Sequence, residues 1–205
     1  MEAKQLLLER RSVNFFDKNI ELSDSVLKDI INLAVYAPSA FNLQPWRIIA
    51  VKSDESKKLL FELSNKQEKV MDAPVTLILI GNKEAYADSN PEWSEIQKSL
   101  GGDISKVEGL KKAAAFLYGS TEERKIKFAS SNVGLLAMSI MISAKEFGLD
   151  SHPMSGLDYD GIHDKFELTD DEYVVMTIAI GYFDTKKQLY PRRPRRLFDD
   201  IAKII

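Results

Sequence analysis

Hydrophobic positions along this chain follow helical and extended periods in alternation, with no internal repeat. Val26, Leu27, Ile30, Ile31 and Ala34 recur at helical spacing behind Ser23, a good N-cap residue. They predict a helix from Ser23 to about Tyr36, stopped by Pro38. Residues 2–10 predict a shorter helix with Leu6, Leu7 and Leu8 on its inner side. Trp46–Val51 and residues 75–80 are apolar runs of strand length, rich in β-branched side chains, and residues 173–182 predict another buried strand. Residues 54–70 carry the charged pattern of a helix.

Ser120-Thr121-Glu122-Glu123 reads as a capping box. It opens a helix running to about Phe147 and closed by Gly148. From 133 to 144 this helix is apolar nearly all round, which implies burial on every side. Periodicity leaves two readings open: a helix at a subunit interface, or the central helix of a monomer core. Residues 84–119 are less regular, with a turn at Asn90-Pro91, a break at Gly101-Gly102 and helical pieces around them. The tail runs through an arginine-rich stretch into a short amphipathic helix ending at Ile205. Helices and strands are interspersed, and no glycine-rich strand–turn–helix of Rossmann type appears. The expectation is an α+β layer fold in a single domain of 205 residues.

Composition narrows the function. A 44% hydrophobic share supports a sizeable core, and a formal charge of −3 argues against a general nucleic-acid binder. The absence of cysteine excludes disulfides, iron–sulfur clusters, thiolate zinc sites and thiol catalysis together. Two histidines, His152 and His163, are too few for a histidine-rich metal site. Glu2 and Glu9 break up the start of the chain, which lacks a signal-peptide layout. No apolar stretch reaches the roughly 20 residues needed to span a bilayer. The expectation is a soluble, cytoplasmic protein with neither a membrane nor a nucleic-acid partner.

Four short stretches can carry chemistry. Arg10-Arg11-Ser12 makes a competent phosphate clamp, because guanidinium forks match phosphate oxygens. The plainer reading is solvated arginines complementing a helix C-terminus. Arg192-Arg193-Pro194-Arg195-Arg196 places four arginines in five residues, and an anion held between this cluster and the first would meet charge from two directions. Pro38 to Pro45 is a small-residue turn whose Ser39, Asn42 and Gln44 can edge a flat heteroaromatic ring, or simply join helix to strand. Pro153-Met154-Ser155-Gly156 by itself reads as a turn in which Gly156 lets the backbone approach a ligand.

Taken in order, these stretches resemble the FMN-dependent nitroreductase family. Glu9-Arg10-Arg11-Ser12-Val13-x-Phe15 and Ala37-Pro38-Ser39-x-x-Asn42-x-Gln44-Pro45-Trp46 are similar to its opening. Asp72-Ala73-Pro74 precedes the strand at 75–80; Gly148-Leu149, Pro153-Met154-x-Gly156 and Ala179-Ile180-Gly181-Tyr182 match its later half. Arg193-x-Arg195 fits its tail, and the likeness is weakest over 84–119.

The resemblance implies a homodimer with a mainly antiparallel sheet, long interface helices and a tail (186–205) that embraces the partner. It implies FMN with NADH or NADPH as electron donor. By the same likeness Arg10, Arg11, Ser12, Arg193 and Arg195 surround the phosphate and ribityl chain, while Pro38, Ser39, Ala40 and Asn42 line the isoalloxazine, the last three in part from the other subunit. Gly156 and Ser155 offer backbone donors near N5, and Gln67 and Lys69 reach the pyrimidine edge or the ribityl hydroxyls, with Lys69 in an electrostatic role. Asn14 stands where the family commonly has a basic residue that meets the pyrimidine edge of the flavin, and Ser155 where some members have an acidic one; both departures bear on redox tuning more than on binding. No protein acid or base is required, since the cofactor carries the chemistry. The implied activity is ping-pong hydride transfer to a small electron-poor acceptor such as a nitroaromatic, quinone or activated alkene. Residues 84–119 form a lid in this reading, with Trp93 and Phe116 facing the acceptor. Phe41 either contacts the acceptor or packs in the core. The competing reading is a flavin-binding electron carrier with little turnover of its own.

Overall fold

The computed structural model describes residues 2–205. At its centre is a four-stranded antiparallel sheet of β1 (Trp46–Val51), β2 (Val75–Asn82), β3 (Asp150–Met154) and β4 (Glu172–Gly181), in the order β1-β2-β4-β3. The two central strands read as continuous apolar runs because helices cover both faces. On one face Val75, Leu77, Leu79, Ile178 and Ile180 pack against α2 (Asp24–Ala34) and α7 (Glu122–Glu146). On the other, Ile78, Ile80 and Ala179 meet Leu60 of α3 (Asp54–Glu62), Val70 of α4 (Lys69–Asp72) and Ile162 of α8 (Tyr159–Lys165).

β3 corrects the turn expected at 153–154. Pro153 pairs opposite Ile178 in an edge strand, where a missing N–H is tolerated because the outer side needs no ladder bond. The helical stretch expected over 54–70 divides into α3 and α4, and the link between them bends through Asn65 and Lys66 at φ 51° and 54°. In α1 (Ala3–Glu9) only Leu6 is buried; Leu7 and Leu8 are 56% and 62% exposed. Three consecutive helical residues span about 200° of arc, so they cannot all face inward.

Helix α7 is capped by Thr121, whose Oγ1 accepts a hydrogen bond from the Arg124 backbone N–H at 3.2 Å. This shifts the start one residue past the expected Ser120 box and puts Arg124 at the third position, where no carboxylate reaches back. Val133, Leu136, Ala137, Ile140 and Ala144 are buried, but Leu135 is exposed and Met138, Ser139 and Ile142 are only half-buried. Within one chain, then, the apolar helix is not covered on every side. By length and composition α7 is also apolar enough to cross a membrane, contrary to the expectation above, yet half of its apolar window lies in the protein interior.

The irregular region forms α5 (Glu92–Ser99) and α6 (Ile104–Tyr118), whose Trp93, Val107 and Ala114 pack with Phe128 and Ala129 of α7. The final helix, α9 (Phe198–Ile201), is shorter than expected, and residues 191–205 are exposed throughout. Removing the cap by Thr121→Ala should lower stability by about 1 kcal/mol in urea denaturation, whereas Ser120→Ala should stay within about 0.5 kcal/mol of the parent. The reverse ranking would restore Ser120 as the cap.

Candidate functional site

The chain leaving α1 runs along the outer edge of β3. Ser12 and Ser151 form a parallel bridge, and the Val13 N–H donates to the Ser151 carbonyl at 3.2 Å. Val13 and Phe16 are buried in the second core cluster. That anchoring presents Arg10, Arg11, Ser12 and Asn14 to a cleft of about 350 Å³ completed by His152, Tyr190, Pro191, Arg192, Arg193 and Arg195. The tail is tied back by two arginines. Arg11 Nη2 donates to the Tyr190 carbonyl and Arg192 Nη2 to the Leu8 carbonyl, each at 2.5 Å. The Phe15 and Tyr190 rings stand 6.0 Å apart beside them.

Both arginine clusters thus meet in one place. None of the ion pairs formed by the described residues includes one of these arginines. Arg10 Nε and Nη1 are buried without a hydrogen-bond partner. Burial, and then the charges of Arg192 and Arg195, hold the Arg10 pKa below its ordinary value. Buried donors left unpaired are costly, and a bound anion such as a terminal phosphate would supply the missing acceptors. On this observation the residues fit the phosphate of a mononucleotide.

A second group adjoins the first. The bend after α3 brings Asn65 Nδ2 to 3.1 Å and Gln67 Nε2 to 3.3 Å from the Gly156 carbonyl, and Lys69 Nζ donates to Gln67 Oε1 at 3.3 Å. Burial lowers the Lys69 pKa. His152, on β3, joins the two groups: its Nδ1 lies 2.8 Å from the Val13 carbonyl, an acceptor that assigns the ring proton to Nδ1. Burial and then the Lys69 charge depress the His152 pKa, against the opposing effect of the Val13 bond. Ser155 is exposed, with its carbonyl accepting the Tyr159 hydroxyl at 2.8 Å. A Cβ added at Gly156 would approach no closer than 3.5 Å to Asn65 Nδ2, so the chain's own packing does not demand glycine there.

The Pro38–Asn42 stretch lies elsewhere. Ala40–Asn42 is a single 3₁₀ turn, with Phe41 and Asn42 at φ 53° and 56°. The Gln44 N–H donates to Ser39 Oγ at 3.1 Å and the Ala40 N–H to Asn132 Oδ1 at 2.9 Å. Pro38 and Asn42 are exposed. Ala40 borders a different cleft, of about 470 Å³, that contains none of the arginine-cleft residues. One chain therefore does not bring the expected phosphate and ring-lining residues together.

Trp93 is corrected as an acceptor-facing residue. It is 3% exposed, and its indole N–H is bonded to the Ala87 carbonyl at 2.9 Å. Phe41 packs against it and against Tyr118, with ring centroids 6.3 and 6.0 Å away. Phe116, in contrast, is 73% exposed. Four residues of the arginine and Gly156 groups escaped sequence reasoning: Asn65, His152, Tyr190 and Pro191. The His152-Pro153-Met154 adjacency was a signal for the second, but only if 150–154 was read as a strand.

Comparison with known proteins gives the family of this fold. The Nitroreductase family model matches residues 7–182, and the chain belongs to that family of oxidoreductases. It is 33% identical over 197 residues to the Bacillus subtilis protein MhqN, described provisionally as an NAD(P)H nitroreductase, covering 95% of this chain and 93% of that one. The B. subtilis nitroreductase-type structure ydfN superposes with a TM-score of 0.89 at 28% identity, covering 98% of both chains. A nitroreductase-type protein from Exiguobacterium sibiricum, solved in complex with FMN, gives a TM-score of 0.84 at 25% identity over 100% of this chain and 98% of that one.

The coupling of the two groups is measurable in the free protein. The His152 imidazole should titrate below an ordinary histidine, and Lys69→Met should raise its pKa by removing a facing positive charge. NMR titration of the ring resonances reads this directly; an unchanged pKa would separate Lys69 from His152.

Proposed function

We propose that the protein is an NAD(P)H-dependent FMN oxidoreductase in which the arginine cleft holds the FMN phosphate. The observation that carries this reading is the pair of buried, partnerless Arg10 nitrogens among uncompensated arginines. Ser12 then faces the ribityl chain, and Asn14, Gln67, Lys69, Ser155 and Gly156 the isoalloxazine. When bound, FMN supplies a single acceptor and donor of hydride, so nicotinamide and acceptor use the site in turn. Hydride leaves NADH or NADPH as NAD(P)⁺ is formed, and the acceptor takes up that hydride and a proton. A nitro group ends as nitroso plus water. The half-buried Lys69 ammonium can stabilise negative charge arriving on the ring. The cytoplasm, where reduced nicotinamides are made, suits this chemistry.

The active unit in this reading is a homodimer. Leu33, Tyr36, Met138 and Ile142 line an apolar groove with Leu6 and Leu7 of α1, and Tyr36 is 86% exposed in the single chain. Leu197, Phe198, Ile201 and Ile204 in the tail are exposed as well. Covering these surfaces with a second copy would bring Ser39, Ala40 and Asn42 of one subunit to the arginine cleft of the other. Residues 84–119 act as a lid, with the exposed Phe116 towards the acceptor.

The protein should purify yellow, release FMN on denaturation and sediment as a dimer at micromolar concentration; a monomer holding FMN would end the shared-site reading. Bleaching by NAD(P)H without re-oxidation by any acceptor would favour an electron carrier.

Arg10→Ala and Arg195→Ala should each weaken FMN affinity about ten- to hundred-fold, the loss of charge-assisted hydrogen bonds worth about 1.5–3 kcal/mol. Reduction of the flavin that remains should be near normal in stopped flow. Lys69→Ala should slow reduction and lower the flavin potential with a smaller effect on occupancy. Full FMN affinity in both arginine variants would remove the clamp.

A further inference from the structure

The cleft beside Ala40 has a character of its own. It lies between the last turn of α6 and the first turns of α7, lined by Ala40, Leu117 and Tyr118 on one side and by Arg124, Lys127, Phe128, Ser131 and Asn132 on the other. Tyr118 and Phe128 are stacked, with centroids 4.4 Å apart and planes 19° from parallel. Phe128 is buried and belongs to the third core cluster, which makes this aromatic wall rigid. Asn132 is committed to holding it: its Oδ1 accepts the Ala40 N–H and its Nδ2 donates to the Phe128 carbonyl at 2.6 Å.

Charge in the cleft is of one sign. Arg124 and Lys127 are three residues apart on α7 and so share a face. Glu122 pairs with Lys83 at 2.9 Å and Lys125 with Glu84, while the exposed Glu123 is not among the residues lining the cleft. Arg124 reaches only the Phe116 carbonyl, at 3.5 Å, and Lys127 enters no ion pair among the described residues. No acidic side chain lines the cleft. A volume of about 470 Å³ lies in the range of small-molecule sites.

From an aromatic wall and two uncompensated cations, one of them a guanidinium fork, we infer that this cleft is a subsite for a planar aromatic carboxylate, held with its ring along Leu117, Tyr118 and Phe128 and its carboxylate on Arg124 and Lys127. The enzyme thereby prefers electron-poor acceptors that carry an anionic group. This rests on the proposed function in one respect: Ala40 is taken as an edge of the flavin site, which makes the subsite part of the acceptor's berth.

The test separates the subsite from the flavin chemistry. Re-oxidation of the reduced holoenzyme is followed in stopped flow with 4-nitrobenzoate and with its neutral counterpart 4-nitrobenzamide. The rate ratio, acid over amide, should fall about tenfold in R124Q/K127Q, the scale of one charge-assisted hydrogen bond, and further in R124E/K127E. In parallel, equilibrium dialysis of labelled benzoate against the oxidised protein should show binding weakened by about the same factor. Failure of flavin turnover with both acceptors would overturn the proposed function while the dialysis still reads the subsite. An unchanged ratio, or benzoate binding that is absent or equal in all variants, would overturn the subsite. So would variants that slow reduction by NADPH and leave the acceptor ratio intact, since the cations would then serve the nucleotide's phosphates.

Discussion

β3 leaves its outer edge without a strand partner, and the way this edge is covered organises the arginine cleft. The segment after α1 lies along it, held by the Val13 N–H on the Ser151 carbonyl and by His152 Nδ1 against the Val13 carbonyl. An uncovered edge would expose unpaired backbone groups and invite aberrant pairing. Covering it with residues 10–16 aligns Arg10, Arg11, Ser12 and Asn14 beside the histidine of the strand itself. The tail then crosses the same place through Tyr190 and Arg192, so the two ends of the chain converge on a single edge strand.

That convergence has an electrostatic cost. Five arginines line one cleft without a carboxylate to offset them, and Arg10 is desolvated as well. Partial burial and like charge both disfavour a guanidinium, so an arrangement of this kind is stable chiefly when an anion completes it. The adjoining Asn65, Gln67 and Lys69 differ in character, since two amides meet the Gly156 carbonyl and a half-buried ammonium stands behind Gln67. A strongly cationic cleft and an amide-rich group thus adjoin each other, joined through His152.

Helix α7 links this side to the rest of the fold. Its middle and last turns complete the core against β2 and β4, and its first turns support the 84–119 excursion through Phe128 and Ala129. Asn132, on the boundary, fixes the 3₁₀ turn at Ala40. A side chain in the helix therefore positions a loop about ninety residues earlier in sequence, as a rigid core element can position functional loops.

The amino-acid sequence by itself determined the long elements. Strong periods and caps made α2, β1, β2, α7 and β4 legible, because burying an apolar stripe or a two-sided strand leaves a repeating signature. It also carried the family resemblance, since Arg10 to Ser12, Pro38 to Asn42 and Arg193-x-Arg195 are local in sequence. Only the tertiary structure decided the rest. The bend at Asn65 and Lys66 has no glycine or proline to announce it, and its positive φ angles are held together with contacts to Gly156 from ninety residues away. β3 holds a proline and a histidine and becomes a strand by pairing with β4. Trp93, expected to face the acceptor, is instead buried with its indole N–H on the Ala87 carbonyl inside the excursion. Each of these depends on a partner distant in the chain, and distance in the chain is what a pattern of neighbouring residues does not record.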